Sequence, residues 1–205
     1  MKNLRVIITI FSSIALSISL GYFESAIYFE SVIEFWFNEL EPKMWWQKSD
    51  DLDATINSRF GELLVQAAKG ELFGWRETAK GALAEVIVLD QFSRNIHRDT
   101  RKAFECDPLA LALSQFAIST GADKELSVDE RKFLYMPFMH SESKVIHAEA
   151  LRLFSELGSP QNLEFELKHK VIIDRFGRYP HRNKILGRES TAEEIDFLKQ
   201  DGSSF

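Results

Sequence analysis

Apolar positions along this chain recur at helical spacing, and no stretch alternates with the period of two that marks a half-exposed strand. The segment from Leu52 to Ala68 is the clearest example, and Gly70 follows it as a helix terminator. Its apolar side chains share one helical face: Ile56, Phe60, Leu63, Leu64 and Ala67. This pattern predicts an amphipathic helix with one buried side.

Helix boundaries are marked by residues typical of caps. Asp107-Pro108 resembles an N-cap followed by proline in the first turn, and Gly121 is placed to end that helix. Two capping boxes, with Ser or Thr at the cap and Glu three residues later, begin at Ser127 and Thr191. The second is expected to open a helix through about Lys199.

These signals predict an all-α fold, a bundle of antiparallel helical hairpins with short polar connections. Further helices are expected over Ser31 to Leu40, Ala79 to about Asn95, Glu142 to Leu157 and Asn162 to about Arg175. No linker long enough to separate two domains occurs, so we expect a single all-α domain over residues 29–205.

The first 23 residues differ from the rest of the chain. Lys2 and Arg5 precede an uncharged apolar stretch, and Ser19 and Gly21 are small residues suited to cleavage after Gly21. The segment 1–23 therefore indicates a hydrophobic leader, either a signal peptide or a membrane anchor with the main domain outside. The protein would then be periplasmic or membrane-anchored. The alternatives are a core helix or a mis-assigned start, in a cytoplasmic protein.

Composition restricts the classes of function. With 31 acidic and 25 basic residues the chain is acidic overall, which argues against a nucleic-acid-binding protein. The single cysteine, Cys106, excludes an internal disulfide and a multi-cysteine zinc site. No Gly-rich phosphate loop, dinucleotide fingerprint or Gly-x-Ser-x-Gly elbow occurs, so no cofactor is assigned.

Polar residues occupy helical positions that should face the core. On the helix from Ala79, the column Leu83, Ile87, Asp90, Arg94 changes from apolar to charged, with Gln91 and Asn95 beside it. His169 stands at an apolar position of a second helix, and His140 and Glu142 fall at a helix junction after Pro137. Buried polar groups need partners, so these residues are expected to meet one another or a ligand.

A segment rich in arginine completes the candidate site. RFGRYPHRN interleaves aromatic residues with four cationic or titratable side chains, and we expect it to pack against the Asp90–Asn95 helix. The candidate ligand-binding residues are Asp90, Gln91, Arg94, Asn95, His140, Glu142, His169, Arg175, Arg178, His181, Arg182 and Asn183. A plain i,i+4 ion pair and a satisfied core histidine are the alternatives for single members. His97 and His147 are interpreted as exposed.

A metal site is not assigned, because His140, Glu142, His169 and His181 show no recognised ligand spacing. Three functional classes stay open for the polar residues. The first is binding of a small anion or a peptide carboxylate, for which arginine is suited. The second is an enzyme with a histidine as general acid or base, and the third is a structural or interaction scaffold.

Several motifs resemble a bacterial family called domain of unknown function 924. They are FWF at 35–37, WW at 45–46, LDQFSRN at 89–95, FLYMPFMHSE at 133–142, RFGRYPHRN at 175–183, LGRESTAEEIDFL at 186–198 and the closing DGSSF. The resemblance runs from about Val32 to Phe205 and implies an all-α fold similar to tetratricopeptide-repeat arrays. It implies no activity. The hydrophobic leader is additional to the family pattern, which puts a cytoplasmic location in doubt.

Overall fold

The computed structural model describes residues 29–204, and every regular element in that range is helical. Helix α1 runs from residue 29 through a π-helical turn at Phe35–Glu39. Helix α3 comprises Ala79–Ile87, a π-helical turn at Val88–Phe92, and Ser93–Ile96. The other α-helices are α2 (Asp50–Ala68), α4 (Asp107–Ser119), α5 (Val128–Met139), α6 (Lys144–Glu156), α7 (Pro160–Phe176), α8 (Asn183–Leu186) and α9 (Ala192–Phe197). Short 3₁₀ helices lie at Pro42–Trp46, Phe73–Glu77, Arg101–Phe104, Ala122–Glu125 and Pro180–Arg182.

The predicted all-α class is therefore confirmed, and consecutive helices form hairpins. Helix α3 is central, because it packs against α2, α4 and α5, while α6 packs against both α5 and α7. The predicted leader over residues 1–23 lies outside the described residues. No helix within residues 29–204 is long and apolar enough to cross a membrane.

The capping signals locate most helix ends correctly. At α5 the Ser127 hydroxyl accepts from the Glu130 backbone N–H, and the Glu130 carboxylate accepts from the Ser127 N–H. The same reciprocal pair at Thr191 and Glu194 opens α9. Gly121 ends α4 with a φ of 81°, a left-handed conformation that glycine adopts without strain.

The predicted cap at Asp107 is wrong. Asp107 is the first residue of α4, Cys106 occupies the cap position, and neither side chain caps the helix. The Asp107 carboxylate instead bonds to Arg94, a long-range contact that local sequence cannot reveal. Helix α6 also begins later than expected, at Lys144 after the cap Ser143, so Glu142 lies outside it.

The core is built on aromatic rings contributed by α1, α2, α3 and α5. The Trp36 ring lies 5.5 Å from Phe92 and 5.5 Å from Phe133, in edge-to-face geometry. Phe60 stacks on Phe92 at 4.9 Å. A smaller apolar cluster joins Ile172 and Ile173 of α7 to Tyr179, so the chain after α7 has its own buried anchor.

The start of α3 contains a glycine that the packing requires. A Cβ on Gly81 would lie 2.1 Å from the Trp75 carbonyl oxygen, whereas one on Gly61 would meet only the end of the Asn57 side chain, at 2.9 Å. We expect Gly81→Ala to lower the free energy of unfolding by about 2 kcal/mol, because backbone must move. Gly61→Ala should be neutral or stabilising by up to about 1 kcal/mol, since alanine favours a helix interior. Urea unfolding of both variants measures this; equal effects would contradict the steric argument.

Candidate functional site

The buried centre of the candidate site is Asp90, in the π-helical turn of α3. Its side chain is about 1% exposed. A π turn shifts the helical register by one residue and is frequent at functional sites. Asp90 Oδ1 lies 2.8 Å from His140 Nδ1 and 3.2 Å from Arg94 Nη1. Gln91 Nε2 donates to the other carboxylate oxygen. A carboxylate buried this deeply is stable only because it has these partners.

The protonation of the Asp90–His140 pair follows from its surroundings. Burial opposes ionisation of Asp90, but Arg94 and His140 lower its pKa well below the usual range. Burial lowers the pKa of His140, against the attraction of Asp90. A neutral His140 beside an ionised carboxylate carries its proton on Nδ1, which leaves the lone pair on Nε2.

Asp107 is shared by two guanidinium groups. Arg94 Nη1 lies 2.9 Å from Asp107 Oδ1, and Arg94 Nη2 donates to Oδ2 at 3.0 Å. Arg182 Nη1 reaches Oδ2 at the longer distance of 3.4 Å and donates to the His140 carbonyl oxygen at 3.1 Å. Asp90, Arg94, Asp107, His140 and Arg182 therefore form one connected set, called here the central network.

Arg182 is the most unusual member of the central network. It is only 7% exposed, and its Cζ lies 4.6 Å from the ring centroids of both Phe104 and Tyr179. Burial and the neighbouring Arg94 lower the pKa of Arg182. Within residues 29–204 its side-chain hydrogen bonds all come from Nη1, and its buried Nε makes none. The Nε–Nη2 edge of this guanidinium is thus left without a protein acceptor.

A second ion pair holds the segment after α7. The Glu142 carboxylate accepts from the Tyr179 backbone N–H at 2.7 Å and from Arg188 Nη2 at 2.8 Å. Arg188 also donates to the Asn183 side chain at 3.0 Å and to the Tyr179 carbonyl oxygen at 3.2 Å. Burial opposes ionisation of Glu142, but Arg188 and the Tyr179 N–H lower its pKa. Sequence analysis missed Arg188, which resembles any other arginine of a polar loop.

A third ion pair involves Arg178. Its Nε and Nη2 donate to the two carboxylate oxygens of Glu194 at 2.6 and 2.8 Å. Asn183 also donates to Glu194, at 3.3 Å. The side-chain bonds from Arg178 lower the pKa of Glu194 to about 2. Glu194 therefore both caps α9 and binds Arg178, whereas sequence analysis identified only the cap.

Two predicted site residues, Asn95 and Arg175, belong neither to the central network nor to the ion pairs of Glu142 and Glu194. Asn95 donates to Asp53 of α2 at 2.8 Å, and Arg98 binds the same carboxylate. Arg175 pairs with Glu193, and its side chain is 45% exposed. The structure thus brings together the buried part of the predicted set and separates these two.

The remaining predicted histidines flank Tyr179. The His169 ring centroid lies 5.8 Å and the His181 centroid 5.4 Å from that of Tyr179. His169 Nδ1 lies 2.8 Å from the Phe165 carbonyl oxygen, so it carries the proton. Burial lowers the pKa of His169 to about 3, and burial with the nearby Arg182 lowers that of His181 to about 4. Both rings are neutral near pH 7.

A buried pair that sequence analysis did not include is formed by His147 and Glu166. The expectation that His147 is exposed is wrong, because it and Glu166 are both 0% exposed. His147 Nδ1 lies 2.8 Å from Glu166 Oε1, and Nε2 lies 2.9 Å from the Ser141 carbonyl oxygen. Burial raises the pKa of Glu166. The available signal was helical spacing, since Ala150 and Phe154 follow His147 at three and seven residues and are also buried.

Metal-ligand clusters and surface grooves add no residues to the candidate site. Within residues 29–204 no three His, Cys, Asp or Glu side chains converge as metal ligands. Two surface grooves lie elsewhere, one beside Phe29 and Lys80 and one between Phe73 and Phe116. Neither is lined by a predicted site residue. The candidate site is therefore the central network with its flanking histidines.

Comparison with known proteins gives a consistent result. The family model described as bacterial protein of unknown function, DUF924, matches residues 32–202. A solved structure titled as protein of unknown function ATU0120 from Agrobacterium tumefaciens is 38% identical, with a TM-score of 0.82. The match covers 85% of this chain and 98% of that one. A search of curated proteins gives no significant match.

Proposed function

This chain belongs to the bacterial family of unknown function DUF924, and we propose its function from the geometry of the site. It is a helical protein that binds a small anion or a peptide carboxylate at the Nε–Nη2 edge of Arg182. The observation that carries the proposal is the buried Nε, which has no hydrogen-bond partner within residues 29–204. A buried donor without an acceptor costs about 1 to 3 kcal/mol, and an anion would remove that cost.

The geometry of Arg182 supports this proposal. Nε and Nη2 of a guanidinium form a planar fork that matches two oxygens of a carboxylate or phosphate. Phe104 and Tyr179 lie against the guanidinium and restrict its motion, so little conformational entropy is lost on binding. The bond from Nη1 to His140 holds the fork in place from the other side.

The other arginines support a structural role. Arg178 is bound by both oxygens of Glu194, and Arg188 is bound by Glu142, so neither offers a free fork. These pairs hold the segment from Tyr179 to α9 against the helical bundle. Anion binding in the candidate set is therefore assigned to Arg182 alone.

A second candidate function is general-base catalysis. The observation that favours it is the Asp90–His140 pair, in which a buried carboxylate orients a neutral imidazole. A nucleophile or substrate position is not identified beside it, so binding stays the first candidate.

The test compares thermal unfolding of the full chain with and without acetate, phosphate and a short peptide ending in a free carboxylate. Binding stabilises the native state by RT ln(1 + [L]/Kd), about 2.7 kcal/mol at a hundredfold excess over Kd, so the midpoint should rise by several degrees. Arg182→Lys keeps the charge but loses the fork and should bind roughly tenfold more weakly. The matched control Arg175→Ala removes an exposed arginine and should respond as wild type does.

Two outcomes would decide against binding. If none of the ligands raises the wild-type midpoint, and Arg182→Lys melts well below wild type, Arg182 serves stability only. If Arg175→Ala loses the response as fully as Arg182→Lys, the anion binds through general surface charge instead of the Arg182 fork.

A further inference from the structure

The side chain of His140 offers a second hydrogen-bonding group beside Arg182. Its Nδ1 proton is directed to the Asp90 carboxylate, so the lone pair lies on Nε2. Within residues 29–204 no hydrogen bond to Nε2 is formed, and the side chain keeps 12% of its surface exposed. His140 therefore presents an acceptor, whereas Arg182 presents only donors.

We propose that the ligand is an anion that also carries an O–H or N–H donor, with Arg182 binding the negative charge and His140 Nε2 accepting the donor's hydrogen bond. This inference rests on the proposed function and narrows it to a ligand class. Hydroxycarboxylates and phosphates that keep a proton belong to that class. Carboxylates and sulfates without a donor do not.

The positions of the two groups support joint recognition. Arg182 Nη1 donates to the carbonyl oxygen of His140 itself, at 3.1 Å. The Tyr179 ring that lies against the Arg182 guanidinium also contacts the rings of His169 and His181. His140 and the Arg182 guanidinium are therefore direct neighbours beside Tyr179.

The charge of the central network favours a ligand with a single negative charge. Asp90 and Asp107 balance Arg94 and Arg182, and His140 is neutral. The central network is therefore neutral, so every negative charge that a ligand brings is costly to bury, and a monoanion costs less than a dianion. The fixed tautomer of His140 also favours ligands that carry a donor. A ligand without one would place an oxygen lone pair against the Nε2 lone pair, and Nε2 would have no hydrogen-bond partner.

The test is calorimetric titration of the full chain at neutral pH with phosphate against sulfate, and with glycolate against acetate. Glycolate and acetate are both monoanions and only glycolate carries an O–H, so this pair isolates the donor. Phosphate and sulfate are both tetrahedral and only phosphate carries an O–H, but sulfate has two negative charges and phosphate between one and two, so this pair also reports charge. We expect the donor-bearing member to bind roughly 10- to 100-fold more tightly in each pair. His140→Ala should reduce glycolate affinity to that of acetate and leave acetate binding nearly unchanged.

The outcomes separate this inference from the proposed function. Equal binding of glycolate and acetate to the wild-type chain overturns the role of His140 and leaves anion binding at Arg182 intact. Absence of binding by all four anions overturns the proposed function itself. The ratio of glycolate to acetate affinity in the wild-type chain tests the role of His140 even where His140→Ala folds poorly.

Discussion

Replacing Asp90 by alanine is expected to lower the free energy of unfolding by about 3 to 5 kcal/mol. The Asp90 carboxylate is fully buried and serves Arg94, His140 and Gln91 together. Its removal leaves the Nδ1 proton of His140 without an acceptor, and within residues 29–204 it leaves Arg94 with Asp107 as its one carboxylate partner. Urea unfolding followed by circular dichroism measures the loss.

Glu149→Ala is the matched control, since it also removes a carboxylate that pairs with an arginine. Glu149 and Arg152 are more than 40% exposed, and exposed pairs contribute little. We expect a change of no more than about 0.5 kcal/mol for this variant. A loss below about 1 kcal/mol for Asp90→Ala would show that the central network contributes little to stability, which contradicts the burial argument.

Raising the pH is expected to destabilise the wild-type protein relative to Glu166→Gln. His147 Nε2 faces the carbonyl oxygen of Ser141, which can only accept a hydrogen bond, so Nε2 carries a proton. A second proton lies in the hydrogen bond between His147 Nδ1 and Glu166 Oε1. Burial raises the pKa of Glu166, so the carboxyl keeps that proton to a higher pH than it does in an unfolded chain. Its other oxygen, Oε2, is buried without a hydrogen bond in the described range, which suits a neutral acid better than an anion.

The direction of this pH dependence follows from the number of protons bound in the native and unfolded states. The carboxyl of an unfolded chain loses its proton near its ordinary pKa of 4.5, whereas native Glu166 loses it only at higher pH. The native state therefore binds more protons between these values, and stability falls as pH rises through that window. The decline is at most about 1.4 kcal/mol per pH unit.

Glu166→Gln isolates this effect, because its amide donates to His147 without titrating. Urea unfolding of both proteins from pH 4 upward gives the difference in free energy at each pH. We expect the free energy of unfolding of the variant to rise relative to that of wild type above pH about 4.5. If the pair were a carboxylate and an imidazolium, the variant would instead lose about 3 to 5 kcal/mol near neutral pH.

Much of the secondary structure could be predicted because its causes are local. The capping boxes at Ser127 and Thr191 act over three residues, and the apolar face of α2 repeats within one helix. The predicted helix start at Asp107 was wrong because a partner distant in sequence binds that side chain. Asp107 has the residue type of a cap but bonds to Arg94, so α4 begins one residue earlier than expected.

The candidate site was predicted in part. Asp90 and His140 were identified as polar residues at apolar positions, and they do lie in contact. Asn95 was identified by the same signal but faces Asp53. His147 was interpreted as exposed, although it is one of the most completely buried side chains in the described chain.

The sequence by itself determined the helices, most of their ends and the family, because periodicity, caps and ordered motifs are properties of short stretches. Only the tertiary structure decided which charges neutralise one another. Arg178, Arg182 and Arg188 have the same chemistry, yet two meet carboxylates with their forks and Arg182 does not. That difference depends on distances between segments far apart in the chain, such as Arg182 and Asp107, which no local pattern contains.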